Sequence, residues 1–177
     1  MDEIFPRLIL GIGNILLKDE GIGVHTAKKL QQMDLPSDVE VIDGGTLGFG
    51  LLPCLEGRKK IILIDAIQAE EGIPGNIYRF HPEDVRHIAP RTKFSFHQTS
   101  FFDIVQFAEY LMKNKPEVVI IAIQPNDISV GMELTPEIEA KIPVLIKLVM
   151  EELQDRVLSP CHSSKDAIVE QVVISND

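Results

Sequence analysis

A chain of 177 residues, 45% hydrophobic and 25% charged, has room for one globular domain that buries roughly two-thirds of its unfolded surface, and none for a second. Its net charge of −10 and pI near 4.9 disfavour a nucleic-acid or anionic-membrane surface, because such partners need clustered Lys and Arg to displace counterions. Cys54 and Cys161 are its two cysteines and have no CxxC spacing, so neither a disulfide framework nor a zinc cage is indicated.

The first residues, Met1 to Arg7, lack the basic region, apolar region and cleavage site of a secretory signal. No run approaches the roughly 18 apolar residues of a spanning helix. A cytoplasmic protein with no membrane insertion is expected.

Residues 7 to 13 predict a buried strand, too short and too β-branched for a helix and ended by two glycines. Asp19 predicts the N-cap of a helix running from about Glu20 to Met33, with Val24, Ala27, Leu30 and Met33 at helical spacing and Pro36 ending it. Residues 39 to 43 predict a second strand, followed by a glycine-rich turn from Gly44 to Gly50, a short helix near Leu51 to Glu56 and a strand over 60 to 66. Strand, helix, strand, helix, strand is the order of a parallel sheet.

Gly72-Ile73-Pro74-Gly75 reads as a turn, so Asn76 to Phe80 is expected to return as a hairpin-like edge strand, making the sheet mixed. A helical turn is expected at Pro82 to Val85, an irregular loop over Arg86 to Phe96, and a helix from about Thr99 to Asn114 on the apolar stripe Phe102, Val105, Phe107, Ala108 and Leu111. Glu117 to Ile123 predicts another buried strand. Thr135-Pro136 opens a final helix that reaches roughly Gln154, with Pro143 expected to kink it. The sum is a single α/β domain over residues 1–155: a three-layer sandwich with a mostly parallel twisted sheet of about five strands, one antiparallel edge strand and helices on both faces. Residues 156–177 read as a tail or an added edge strand.

Parallel strands leave their carboxyl ends on one edge of the sheet, where open α/β sheets bind ligands. Glu20, Asp43, Asp65 and His97 all follow or end apolar runs, so they are expected to meet in one crevice there. Each also has an ordinary explanation. Glu20 in a first helical turn is favoured by the macrodipole by about 0.3 to 1 kcal/mol, and Asp43 can accept the backbone N–H groups of Gly44 to Thr46. Asp65 has no such turn behind it, and a carboxylate ending a buried apolar strand needs a cation, donors or water to offset lost hydration. A lone histidine such as His97 is more often a cap or packing residue. Together, two carboxylates and one imidazole form a donor set suited to a borderline divalent transition metal with positions left open, able to polarise a carbonyl or a water.

Other motifs fail. Gly11-Ile12-Gly13-Asn14-Ile15-Leu16 follows a strand as a dinucleotide loop would, but Leu16 stands where the third glycine belongs and the helix begins too late to meet a pyrophosphate. There is no Walker lysine, no HExxH and no GxSxG. His81 and His87 are separated by Pro82, Cys54 sits among leucines as a core thiol does, and Cys161-His162 is adjacent rather than usefully spaced.

Gly11-x-Gly13-Asn14-Ile15-Leu16-Leu17-x-Asp19-Glu20-Gly21-x-Gly23-Val24, Asp43-Gly44-Gly45-Thr46-x-Gly48, Asp65-Ala66-Ile67 with Pro74-Gly75, and Ser95-x-His97-Gln98 together resemble the hydrogenase maturation endopeptidases of the nickel-iron hydrogenases, in order across roughly residues 7 to 150. The resemblance implies a compact α/β endopeptidase of aspartic or metallo type that removes the C-terminal extension of a large-subunit precursor after nickel insertion. It implies Glu20, Asp65 and His97 as metal ligands that engage the nickel of the substrate rather than a resident ion, with cadmium or another divalent ion able to substitute in crystals. Asp43 is implied as the further functional carboxylate. Neutral imidazole is needed to bind metal, so activity is expected to fall in acid as His97 protonates. The competing readings are a non-catalytic metal- or nucleotide-binding module of the same architecture and a general α/β hydrolase without an evident nucleophile.

Overall fold

The computed structural model describes residues 5–69, 72–84, 92–93, 116–154 and 170–171. The strands are β1 (Arg7–Ile12), β2 (Val39–Gly45), β3 (Lys60–Ala66), β4 (Gln68–Ala69), β5 (Ile77–Phe80), β6 (Thr92–Lys93), β7 (Glu117–Ile123) and β8 (Glu170–Gln171). The helices are α1 (Ile22–Leu30), α2 (Leu52–Leu55), α3 (Pro136–Glu139) and α4 (Ile142–Leu153), with 3-10 turns at Lys18–Gly21, Gly48–Leu51 and Pro82–Asp84.

The main sheet runs β2-β1-β3-β7-β5-β8. β2, β1, β3 and β7 are mutually parallel, and β5 is antiparallel to β7 with Ile77 opposite Ile123. This is the expected mixed α/β sheet, with one difference at its edge. β5 is not the last strand, because Glu170 and Gln171 pair antiparallel with Arg79 and Tyr78; of the two readings of the C-terminal segment, an added strand describes these two residues. β4 and β6 form a separate antiparallel pair.

Side-chain alternation along the strands divides the core into two layers. Ile9, Ile62, Ile64, Ile121 and Ile123 pack on one face against Ile22 and Leu30 of α1 and Ile142, Leu145 and Val149 of α4. Leu8, Leu10, Ile61, Leu63 and Ile120 pack on the other against Leu51 and Leu55. β3 is buried from end to end, as a parallel strand covered on both faces must be. Helices therefore lie on both faces, as expected.

The helical pattern over 20 to 33 divides: a 3-10 turn comes first, α1 begins only at Ile22, and Met33 lies beyond its end. α1 can lie close to the sheet because of Gly23, where a Cβ would stand 2.2 Å from the carbonyl oxygen of Ile64 and 2.3 Å from that of Ile12. The final helix also divides, at Ala140 and Lys141. Pro143 sits in the first turn of α4, where its missing N–H costs nothing, so it starts a helix rather than kinking one. β2 runs on through Gly44 and Gly45, which places Asp43 inside the strand and moves the glycine-rich turn later than expected. The expected loop over Arg86 to Phe96, apart from β6, the helix over Thr99 to Asn114, and Cys161-His162 lie outside the described residues.

Candidate active site at the carboxyl edge of the sheet

Glu20 lies in the 3-10 turn that follows β1, 8% exposed. The turn folds back over the end of β1 because Gly13, at φ 135°, has no side chain: a Cβ there would stand 2.0 Å from the Glu20 carbonyl oxygen. Gly13 N–H donates to the Gly45 carbonyl at 3.0 Å, tying the ends of β1 and β2 together at the same level. The turn also packs against β3. Asp65, 1% exposed, is the penultimate residue of that strand, and its Oδ1 accepts the Ala66 N–H at 2.8 Å. Two carboxylates with buried oxygens thus belong to neighbouring segments at the carboxyl edge.

Asp43 occupies a different position. Gly11 is paired with Asp43 on one side and with Ile64 on the other, so Asp43 and Ile64 share the α1 face. Lys28 of α1 confirms the direction, with its Nζ 3.5 Å from Asp43 Oδ2. Gly44 alternates to the other face, where a Cβ would meet Leu10, Ile12 and Leu51. Asp65 alternates away from Ile64 toward the layer of Leu63 and Ala122. Asp43 and Asp65 therefore leave the sheet on opposite faces. The expected acceptor role of Asp43 is present: its Oδ1 takes the Gly45 N–H at 3.1 Å.

His97 lies outside the described residues. Among the described residues no three His, Cys, Asp or Glu side chains form a group able to hold a metal ion; Glu20 and Asp65 offer two oxygens, and a nitrogen from another segment is what the expected donor set would add.

Asp19, expected as an N-cap, does something else. Fully buried, its carboxylate accepts the N–H groups of Asn126, Asp127 and Thr135 at 3.0, 2.9 and 2.7 Å and the Thr135 hydroxyl at 2.9 Å. α1 has no side-chain cap at all. One carboxylate thus clamps both ends of the loop that follows β7 onto the turn carrying Glu20. Lys18, next to it, adopts φ 44°, a left-handed conformation that costs a non-glycine residue about 1–2 kcal/mol. Its N–H donates to the Gly131 carbonyl at 2.9 Å, and its ammonium pairs with Asp127. These contacts hold the strained residue in place. An acidic residue beside Glu20 is the local signal, but partners more than a hundred positions away are invisible to local reasoning.

His25, which sequence reasoning did not single out, stands one turn into α1, with its ring edge 3.4 Å from where a Gly21 Cβ would be. Burial and the charges of Lys28 and Lys29 lower its pKa, and Glu139 and Asp43 only partly oppose them. The shift favours the neutral ring over the imidazolium. Cys54 is a free, half-buried thiol whose carbonyl accepts the Arg58 Nε–H at 2.8 Å, in keeping with a structural residue.

A mostly parallel α/β sheet with buried carboxylates at its carboxyl edge defines the class of α/β domains that bind ligands there; comparison with known proteins narrows it. A family model described as hydrogenase maturation protease matches residues 24–152. The hydrogenase 2 maturation protease of Escherichia coli K12 is 33% identical over 149 residues, covering 84% of this chain and 90% of that protein. A hydrogenase expression/formation protein, HupD, of Bradyrhizobium diazoefficiens is 32% identical over 173 residues, covering 96% and 89%. Among solved structures, the hydrogenase maturating endopeptidase HybD of E. coli superposes with a TM-score of 0.77 at 32% identity, covering 85% of this chain and 93% of that one. The chain belongs to the hydrogenase maturation protease family.

Proposed function

We propose that this endopeptidase of hydrogenase maturation cleaves a C-terminal extension from the nickel-loaded precursor of a nickel-iron hydrogenase large subunit, and that Glu20, Asp65 and His97 recognise the nickel carried by that substrate. Family membership supplies the hydrolase activity and the hydrogenase substrate. The observation that carries the nickel reading is the paired burial of Glu20 and Asp65 at the carboxyl edge: taking two carboxylates out of water costs several kcal/mol each unless cations or donors offset it. A divalent ion presented by the substrate adds such an offset at the moment of docking.

In this reading nickel is part of the substrate, so recognition doubles as a check that the precursor is loaded. Glu20 and Asp65 orient the metal-bearing end of the precursor and His97 adds nitrogen donation. Asp43, on the α1 face and exposed to solvent over about a third of its side chain, serves as the catalytic carboxylate that handles the proton of the attacking water. This makes the enzyme a metal-recognising protease of aspartic or metallo type. No helix among the described residues is long and apolar enough to cross a membrane, and we assign the reaction to the cytoplasm.

Anaerobic incubation with nickel-loaded and nickel-free precursor, read by mass spectrometry, tests the reading. Cleavage of the loaded form alone is expected, and equal cleavage of both would remove the metal check. Titration with nickel or cadmium tests the ligands separately: Glu20→Gln, Asp65→Asn and His97→Ala should each weaken binding at least about tenfold, which is about 1.4 kcal/mol. Unchanged binding in all three would return these residues to structural roles.

A further inference from the structure

Eight large apolar side chains are exposed among the described residues, and they are not scattered. Leu16, Ile128, Val130 and Met132 stand on the two loops that leave the carboxyl ends of β1 and β7, 55%, 38%, 86% and 61% exposed. Leu47 and Phe49 follow the carboxyl end of β2. Ile73 belongs to the turn before β5, which reaches the same edge because the Gly75 N–H donates to the Gln124 carbonyl at 2.9 Å. Only Met33 lies at the opposite edge, between α1 and β2. Clustered exposure of this kind marks a surface that another macromolecule covers.

The first four residues form a preformed ridge. The Gly131 N–H donates to the Leu16 carbonyl and the Lys18 N–H to the Gly131 carbonyl, both at 2.9 Å, so the two loops are bridged like short parallel strands. Asp19 fixes the second loop at both ends. A surface whose backbone is already ordered loses little entropy when a partner binds. The ridge is also continuous with the site, since Leu16 lies four positions before Glu20 in the segment that ends in its turn. That continuity with the Glu20 turn favours, as occupant, the molecule on which the site acts over a second copy of the chain.

We propose that the ridge of Leu16, Ile128, Val130 and Met132 is the docking surface for an apolar segment of the hydrogenase large-subunit precursor, seated beside the residues that recognise its metal. This rests on the function proposed above. Apolar contact would supply affinity and leave the carboxylates to discriminate loaded from unloaded substrate.

The test compares the full-length wild type with a Val130→Asp/Met132→Asp double variant and with Met33→Asp at the opposite edge, using nickel-loaded precursor. Precursor binding is measured by calorimetry and cleavage by mass spectrometry. The double variant should keep the wild-type thermal midpoint while its Kd and KM for precursor rise about tenfold or more; Met33→Asp should change neither. Should the acidic pair unfold the chain, Val130→Ser with Met132→Gln carries the same comparison. Unaltered Kd and KM in a folded variant overturn the proposal. A wild-type dimer that the double variant dissociates, with precursor binding unchanged, makes the ridge a self-contact and overturns it equally. Wild type that binds precursor without cleaving it sinks the proposed function alone, and the binding comparison still decides on the ridge. Wild type that neither binds nor cleaves overturns both.

Discussion

The carboxylate of Asp19 receives both the backbone N–H and the hydroxyl of Thr135, a residue 116 positions later in the chain. Through this contact the turn bearing Glu20 and the loop after β7 behave as one unit. Asp19→Ala would take the charged acceptor away from three N–H groups and one hydroxyl, on residues that are partly buried or exposed. Each such loss costs about 1–3 kcal/mol, so the variant should be less stable by at least about 3 kcal/mol, with Asp19→Asn intermediate. Urea unfolding measures this; a midpoint equal to wild type for Asp19→Ala would refute the clamp.

Asp43 and Asp65 leave the sheet on opposite faces, and that parity separates their expected phenotypes. Asp43→Asn should leave nickel or cadmium affinity within about twofold of wild type while precursor cleavage falls by about a hundredfold or more, the scale on which a positioned acid or base acts. Its contact with Lys28 is solvent-exposed and contributes no more than about 1 kcal/mol, so the fold should be retained. Metal affinity lost in Asp43→Asn and retained in Asp65→Asn would reverse the assignment.

Thr26 is fully buried in α1, and its hydroxyl has no hydrogen-bond partner among the described residues. Replacing a buried unpartnered hydroxyl by a methyl removes a desolvation cost without opening a cavity. Thr26→Val should match or exceed wild-type stability, by up to about 1 kcal/mol. Differential scanning calorimetry showing a clear drop in Tm would mean that the hydroxyl is in use.

His25 and Asp127 each contribute to the acid dependence of stability, in two separate windows. The folded His25 pKa lies below its ordinary 6.5, chiefly through burial; the unfolded chain therefore binds more protons below pH 6.5, and stability falls as pH drops from there until the folded group also protonates. Asp127, hydrogen-bonded by Lys18 and by Ser129, is held down at about 2. Its contribution is present above pH 3.8 and disappears as pH falls toward 2. Tm measured between pH 7.5 and 5 should decline in wild type and decline less in His25→Gln. Identical slopes would show that His25 does not carry the first window.

Much of the architecture was legible in the chain. The bounds of β3 and β7 follow from apolar runs too short for helices, and the turn before β5 announces itself through Gly72-Ile73-Pro74-Gly75, so a mixed sheet was predictable from local patterns alone. The α1 and α4 boundaries were less so. The apolar spacing from Val24 to Leu30 and from Leu145 to Leu153 is helical, but the break at Ala140–Lys141 and the 3-10 turn at Lys18–Gly21 arise from how the ends pack, which periodicity does not encode.

The candidate site divides in the same way. Sequence alone put Glu20, Asp43 and Asp65 near the carboxyl ends of parallel strands, because hydrophobic runs and their polar endings are one-dimensional signals. Which face each carboxylate takes depended on register, on Gly11 lying between Asp43 and Ile64. That Asp19 anchors a distant loop while its neighbour Glu20 stays at the rim was decided by tertiary contact. A side chain's local propensity records what its own backbone prefers, whereas the partner that satisfies a buried charge is chosen only when the chain closes on itself.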